Sequence, residues 1–184
     1  MRNLAIPAAV MLLLAACGGP PPKQYDYPAW GFSAEFTAPP KVTETPASAD
    51  GAQPHALVVT EEDGANDFAI SAADATRPDK TIDQITEEAA PLVAKTVGGE
   101  VGPMTDVATV QTSNQAMGRE VSITKGGKPF VTLRIYLANG VFYELAGRTV
   151  LGPDDPAAKA FLDSFKILPP APAKTNAPAA TNAN

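Results

Sequence analysis

Three charged residues in the densest strand pattern of the chain have types and spacing that could form a functional site. Glu120, Arg134 and Glu144 lie on three successive predicted strands. If the turns align them, they form one row, because residues directly opposite each other on neighbouring strands share a face of the sheet. With Thr132 and Tyr136 beside it, such a row could line a groove for a ligand. The alternative interpretation is a set of cross-strand ion pairs that only stabilises the sheet.

Carboxylates alone could also support a hydrolase. Two of Glu120, Glu144 and Glu35 could act as general acid and base on an envelope glycan, because glycosidases use a pair of carboxyl groups. Arg134 between two of them would hold both ionised, which suits a general acid poorly. The pattern therefore favours binding over catalysis.

The chain lacks the residues that other kinds of active site need. The chain has one histidine, His55, and one cysteine, Cys17, and it contains no Gly-x-Ser-x-Gly motif. A Ser-His-Asp, Cys-His or zinc site therefore has too few of the groups that it needs. We interpret His55 as a surface residue at the start of a strand and expect no catalytic residue.

Hard oxygen ligands are concentrated around one predicted turn, at Glu61, Glu62, Asp63, Asn66 and Asp67. Calcium prefers such ligands, but their spacing does not match an EF-hand loop. Asp and Asn are also typical turn residues. We therefore predict a hairpin turn here, with no metal and no cofactor.

Cys17 lies at the end of an N-terminal targeting pattern. Arg2 and the apolar run from Leu4 to Leu14 are typical of a secretory signal peptide. The apolar run is too short to span a bilayer, which takes roughly 20 apolar residues. The segment Leu14-Ala15-Ala16-Cys17-Gly18 resembles the lipobox of bacterial lipoproteins.

The lipobox resemblance implies that residues 1–16 are removed and that Cys17 carries acyl chains that anchor the chain to a membrane. Gly18, rather than aspartate, after the cysteine implies the outer membrane, with the protein facing the periplasm. The alternative is a secreted protein that is cut nearby and keeps a free thiol, which is unusual in an oxidising compartment.

The composition predicts one domain between two flexible ends. Residues 17–23 read as a Pro-rich tether, 24–168 as a single globular domain, and 169–184 as a disordered tail of Pro, Ala, Thr and Asn with one lysine. The net charge of −6 makes nucleic acid a poor partner. We expect the membrane, through Cys17, and an envelope protein or small ligand as partners.

Two helices are predicted besides the strands. Thr81 and Gln84 form a capping box that begins the first helix, and Pro91 inside it should kink it or split it in two. The second helix is capped by Asp154 or Asp155. The predicted apolar stripe of the first helix consists of Ile82, Ile85, Ala89 and Leu92.

The register of the charged row depends on two turns. Three-residue loops at 126–128 and 138–140 would place Arg134 opposite both Glu120 and Glu144. A two-residue turn at 139–140 would instead place Glu144 opposite Ile135, with charge among aliphatic side chains. We therefore predict the three-residue loop in each case.

The order of elements predicts an α+β fold, an antiparallel meander packed with helices. The opening Trp30–Phe36 followed by Pro39-Pro40, the mid-chain helix, the three strands and the closing Phe161–Phe165 resemble the PsbP-like α/β/α sandwich. Small bacterial lipoproteins and periplasmic DcrB-like proteins are assigned to that fold.

The PsbP-like resemblance implies a non-enzymatic accessory or binding subunit, although fold alone does not fix function. Together with the lipobox, it predicts a lipid-anchored, non-catalytic binding module of the cell envelope. Two alternatives are the carboxylate-based hydrolase and a structural envelope protein whose tail contacts peptidoglycan.

Overall fold

The structure is a computed structural model, and it describes residues 21–62, 66–75, 80–108, 117–149, 152 and 155–169. The predicted signal peptide, Cys17, most of the tether and nearly all of the tail lie outside the described residues, as do Asp63 and Asp154. No helix in the described part of the chain combines the length and the apolar character that a membrane span requires.

Within the described residues, the chain forms two antiparallel sheets and two helices, so the fold is α+β as the sequence predicts. The smaller sheet has the strand order β1-β2-β10, and the larger has the order β3-β4-β5-β9-β8-β7-β6. The elements are β1 (Lys23–Tyr27), β2 (Phe32–Phe36), β3 (Lys41–Thr45), β4 (Ala56–Glu62), β5 (Asn66–Asp74), α1 (Ile82–Val97), β6 (Glu100–Ala108), β7 (Met117–Lys125), β8 (Lys128–Ala138), β9 (Val141–Thr149), α2 (Pro156–Ser164) and β10 (Lys166–Ile167).

The larger sheet has a separate apolar core on each face. On the α2 face, Phe68 and Tyr143 pack with the small sheet and with Phe161 of α2. On the α1 face, Leu133 and Ile135 pack beneath α1. Helix α1 contacts β6, β7 and β8, whereas α2 contacts β9 and β5. The two helices therefore cover different halves of the larger sheet. On the α2 face, β6 and β7 stay open. On the α1 face, β3, β4 and β5 stay open.

Helix α1 begins as the sequence predicts, and Ile82, Ile85 and Ala89 of the predicted stripe pack against the core, but Leu92 does not. The capping box is present, with the Gln84 amide N donating to Thr81 Oγ1 over 3.3 Å. The helix runs through Pro91 without splitting. Its small residues Ala90 and Ala94 face the sheet, whereas Leu92 is 68% exposed. The prediction that Leu92 lies in the buried stripe is wrong, because small side chains allow the helix a closer approach to the strands.

The pairing of β7 with β8 confirms the predicted partner of Glu120. A two-residue turn at Gly126-Gly127 replaces the expected three-residue loop, but an irregularity between Ile123 and Thr124 restores the register. Glu120 therefore lies opposite Arg134.

The predicted pairing of β8 with β9 is wrong. Asn139 and Gly140 form a two-residue turn with φ values of 53° and 75°, which place Ile135, not Arg134, opposite Glu144. Asn-Gly adopts the left-handed conformation at both positions of this turn type, whose twist matches that of the strands. The same register places Tyr143 opposite Tyr136, and both rings contact Phe165 in the core.

Candidate functional site

The structure divides the predicted row between the two faces of the sheet. Glu120, Thr132 and Arg134 line one cleft of about 330 Å³ on the α2 face, beside the open half of the sheet. Glu144 lies on the opposite face. We call the first site the Arg134 cleft; its other lining residues are Ser122, Pro129, Lys159 and Leu162.

Arg134 is the centre of the ion pairs in this cleft. Its Nε lies 2.6 Å from Glu120 Oε2, and its Nη1 lies 2.7 Å from Asp163 Oδ1 on α2. Asp163 also pairs with Lys159, one helical turn away. Because the Arg134 side chain is only 11% exposed, these bonds hold it in one position.

The pKa values of the network follow from these bonds. Burial acts to lower the pKa of Arg134, but hydrogen bonds to Asp163 and Glu120 raise it overall. Partial burial acts to raise the pKa of Asp163, but hydrogen bonds from Lys159 and Arg134 outweigh it and lower that pKa. Both groups are therefore held in their charged forms, and the cleft presents paired charges to a ligand.

Helix α2 supplies the half of the network that the sequence analysis missed. Asp155 caps the helix, its Oδ1 accepting from the Ala157 amide over 2.8 Å. The helix then buries Phe161 and Leu162, so that Lys159 and Asp163 lie on its polar side. Their i,i+4 spacing in the sequence was the available signal, but only the docked position of α2 shows that Asp163 reaches Arg134.

Tyr136 lies in the core beside Phe165 and is not among the residues that line the cleft. Its side chain is buried and stacks on Phe165 with ring centroids 5.5 Å apart. Burial is the main cause that raises its pKa. Gly118 lies directly opposite, where a Cβ atom would come within 2.3 Å of the Tyr136 ring. In this position Tyr136 helps to build the core next to the cleft.

Glu144 is a half-buried carboxyl on the α1 face. It lies opposite Ile135 on one side and Ser71 on the other. Burial raises its pKa, and it makes no hydrogen bond or ion pair with the described residues. Glu120 and Glu144 therefore lie on opposite faces of one sheet, and Glu35 lies in the smaller sheet. The three carboxylates considered as an acid and base pair do not converge.

The remaining polar candidates have local partners. His55 Nε2 lies 2.7 Å from Glu44 Oε1, and its ring packs on Trp30. The buried carboxylate of Glu61 accepts hydrogen bonds from the amides of Thr37 and Ala38 over 2.9 and 3.1 Å. Within the ranges that the structure describes, no group of three or more His, Cys, Asp and Glu side chains is placed to hold a metal ion.

Comparison with known proteins shows the fold. No protein-family model and no curated protein matches the chain. Among solved structures, the chain is similar to the solution structure of cyanobacterial PsbP (CyanoP) from Synechocystis sp. PCC 6803, with a TM-score of 0.52 and 13% identity. The match covers 84% of this chain and 98% of that one. The chain therefore has a PsbP-like fold.

Proposed function

We propose that this chain is a lipid-anchored, non-catalytic protein of the bacterial cell envelope that binds another envelope protein or a small ligand in the Arg134 cleft. Acylated Cys17 holds it at the outer membrane, facing the periplasm. The lipobox-like segment Leu14–Gly18 supports the anchor, and the PsbP-like fold agrees with a binding role.

The position of Arg134 is the observation that carries the binding proposal. Bonds to Glu120 and Asp163 fix its guanidinium at the edge of a cleft on the uncovered half of the sheet. A ligand that meets such a fixed surface orders few side chains on binding, which lowers the cost of association. The cleft also offers the hydroxyls of Ser122 and Thr132 as adaptable hydrogen-bonding groups.

The geometry supports binding better than glycan hydrolysis. Glu120 is held by Arg134 over 2.6 Å, and an acid catalyst needs a raised pKa rather than a cationic neighbour. Glu144 has a raised pKa, but the sheet separates it from Glu120.

The anchor is tested by the mass of the N-terminal peptide of the mature protein from bacterial cells. We expect a peptide that begins at Cys17 and carries acyl chains, and we expect Cys17→Ser to abolish both processing and membrane association. An unmodified Cys17 in a protein that washes off the membrane would contradict the proposal.

The binding site is tested by affinity purification of the full-length chain from solubilised envelopes. We expect the wild type to retain a partner that Arg134→Met loses. Arg119→Met is the matched control, because Arg119 is similarly buried and also pairs with two carboxylates, Asp83 and Asp106, but lies on the α1 face. The same set of bound molecules in both variants would contradict a role for the cleft.

A further inference from the structure

A second candidate site lies on the α1 face, between the C-terminal end of α1 and the strands beside it. It is a cavity of about 380 Å³, which lies in the range of small-molecule sites, roughly 300–1,000 Å³. Its apolar part is lined by Ala69, Val131 and Ala146 of three strands and by Val93 of α1. We call it the Lys125 pocket, after a cation that also lines it.

An irregularity in the strand pairing gives this pocket an aromatic wall. Neighbouring residues of a regular strand point to opposite faces, so Phe130 and Val131 would not share a face. The register of β7 with β8 shifts after Ile123, and this shift leaves Phe130 without an opposite residue. A bulge of this kind can re-aim a side chain. Phe130 accordingly packs with Val131 against the core beneath α1 and lines the pocket.

Two cations lie over the ring of Phe130. Lys125 Nζ is 5.1 Å from the ring centroid, and the guanidinium carbon of Arg148 is 5.5 Å from it. Both distances lie within the range of about 6 Å in which an aromatic ring attracts a cation. Both cations also line the pocket. The ring therefore holds two positive charges beside an apolar cavity.

The partners of these two cations do not use all of their donors. Lys125 Nζ donates to the Val97 carbonyl over 3.3 Å, and it forms no ion pair within the described residues. Arg148 pairs with Asp67, which also lines the pocket. An ammonium has three donors and a guanidinium has five. Two cations and one carboxylate leave one positive charge uncompensated at the pocket.

We propose that the Lys125 pocket binds an apolar chain that ends in a carboxylate. The carboxylate lies between Lys125 and Arg148, and the chain lies against Val93, Val131 and Ala146. A guanidinium matches a planar carboxylate with two parallel hydrogen bonds. One negative charge balances the site, whereas a doubly charged phosphate would leave a charge unpaired. The Arg134 cleft lies on the other face of the sheet and takes no part in this site.

The proposal is tested with octanoate, a carboxylate on a straight apolar chain. The comparison ligand is 1-octanol, which has a chain of the same length and no charge. The protein is the mature chain, residues 17–184 with Cys17→Ser, which retains every described residue. Binding is followed by the NMR shifts of the backbone amides of β8, β9 and α1. We expect saturable binding of octanoate that is roughly fivefold tighter or more than that of octanol.

Three variants distinguish recognition of the carboxylate from apolar binding. Lys125→Met should weaken octanoate binding by roughly fivefold or more and leave octanol binding nearly unchanged. Lys128→Met is the matched control, because Lys128 lies opposite Lys125 across the same turn but does not line the pocket. Ala146→Leu fills the cavity and should weaken the binding of both ligands.

Octanoate that does not saturate the wild type, or that binds no more tightly than octanol, would overturn the proposal. So would the same octanoate affinity in Lys125→Met and Lys128→Met, because contact with Lys125 would then contribute nothing. Unchanged binding in Ala146→Leu would place the chain outside the pocket and would also overturn it. Because Arg134 is intact in all these proteins, none of these results bears on the function proposed for the Arg134 cleft.

Discussion

Glu144 lies directly opposite Ile135 where β9 pairs with β8. This pairing places a carboxyl among aliphatic side chains on the α1 face, while Glu120 faces Arg134 on the other side of the sheet. The two carboxyls therefore have opposite environments, one unpaired and one ion-paired. The difference leads to opposite expectations for the stability of the protein when each carboxyl is removed.

Replacing Glu144 with glutamine should stabilise the protein at neutral pH. Burial raises the pKa of Glu144 above its ordinary value of 4.5, so the folded state binds this proton more tightly than the unfolded state. The free energy of unfolding therefore falls as the pH rises from below 4.5 through the folded pKa. We expect a gain of about 0.5–2 kcal/mol at neutral pH that disappears in acid.

Chemical unfolding of the wild type and Glu144→Gln over a range of pH measures this effect. The exposed Glu62→Gln on the same face should leave stability nearly unchanged. A Glu144→Gln variant that is less stable than the wild type at neutral pH would show that Glu144 has a stabilising partner.

Replacing Arg134 should destabilise the fold, because it breaks the bonds to Glu120 and Asp163 in a partly buried site. We expect Arg134→Met to cost about 1–3 kcal/mol. A double-mutant cycle of Arg134→Met with Glu120→Gln isolates the coupling between the pair. The more exposed pair Arg148 and Asp67 provides the comparison and should couple by about 0–1 kcal/mol. Equal coupling in both cycles would refute the special role of Arg134.

Gly118 should tolerate no side chain. A Cβ there would lie 2.3 Å from Tyr136 Cδ1 and 2.6 Å from the Ile135 carbonyl, so Gly118→Ala should cost about 1–3 kcal/mol by overpacking. Gly147→Ala is the control on β9, since its Cβ would meet Leu162 at an ordinary 3.5 Å. That variant should change stability by less than about 1 kcal/mol. Thermal unfolding of both variants measures the two losses of stability. Equal losses would contradict the close packing of Tyr136 on Gly118.

Tyr143 should be the phenol that ionises at the highest pH. Its hydroxyl donates to the Trp30 carbonyl over 2.8 Å in the core, and burial raises its pKa to about 12. Tyr143→Phe should cost about 1–3 kcal/mol, because it leaves a buried carbonyl unpaired.

The contribution of Tyr143 depends on pH with a defined sign. It is present in full below the ordinary phenol pKa of 10.0 and is lost as the pH rises towards about 12. Alkaline titration followed by tyrosinate absorbance should therefore lose a group near pH 12 in the variant. Loss of a group that titrates near the ordinary phenol pKa of 10.0 instead would contradict the burial of Tyr143.

Local patterns in the sequence were sufficient to predict much of the fold. The capping box of Thr81 and Gln84 depends on residues one turn apart, and the strand Phe32–Phe36 follows from simple alternation. The pair of Glu120 and Arg134 spans one short turn. The capping box and the strand each follow from one local pattern, whereas the register of Glu120 and Arg134 results from a two-residue turn together with an irregularity between Ile123 and Thr124.

The position of Glu144 could not be predicted by matching charges. A cross-strand ion pair contributes roughly 0.2–1 kcal/mol, which competes with the turn preference of Asn139-Gly140 and with burial of Tyr143 against Phe165. Fully burying a large aromatic side chain contributes roughly 1.5–3 kcal/mol, so packing outweighs the ion pair. Whether Asp163 contacts Arg134 likewise depends on how α2 docks on the sheet, and no local sequence pattern determines that docking.

Photo-cross-linking in cells tests most directly whether the chain acts by binding at the Arg134 cleft. A photoreactive amino acid replaces Lys159, which lines the cleft and is 69% exposed, in the full-length chain. The control replaces Lys41, which is exposed on the edge strand β3. We predict a discrete cross-linked product from position 159 and none from position 41. No product from position 159, or the same product from both positions, would contradict the account.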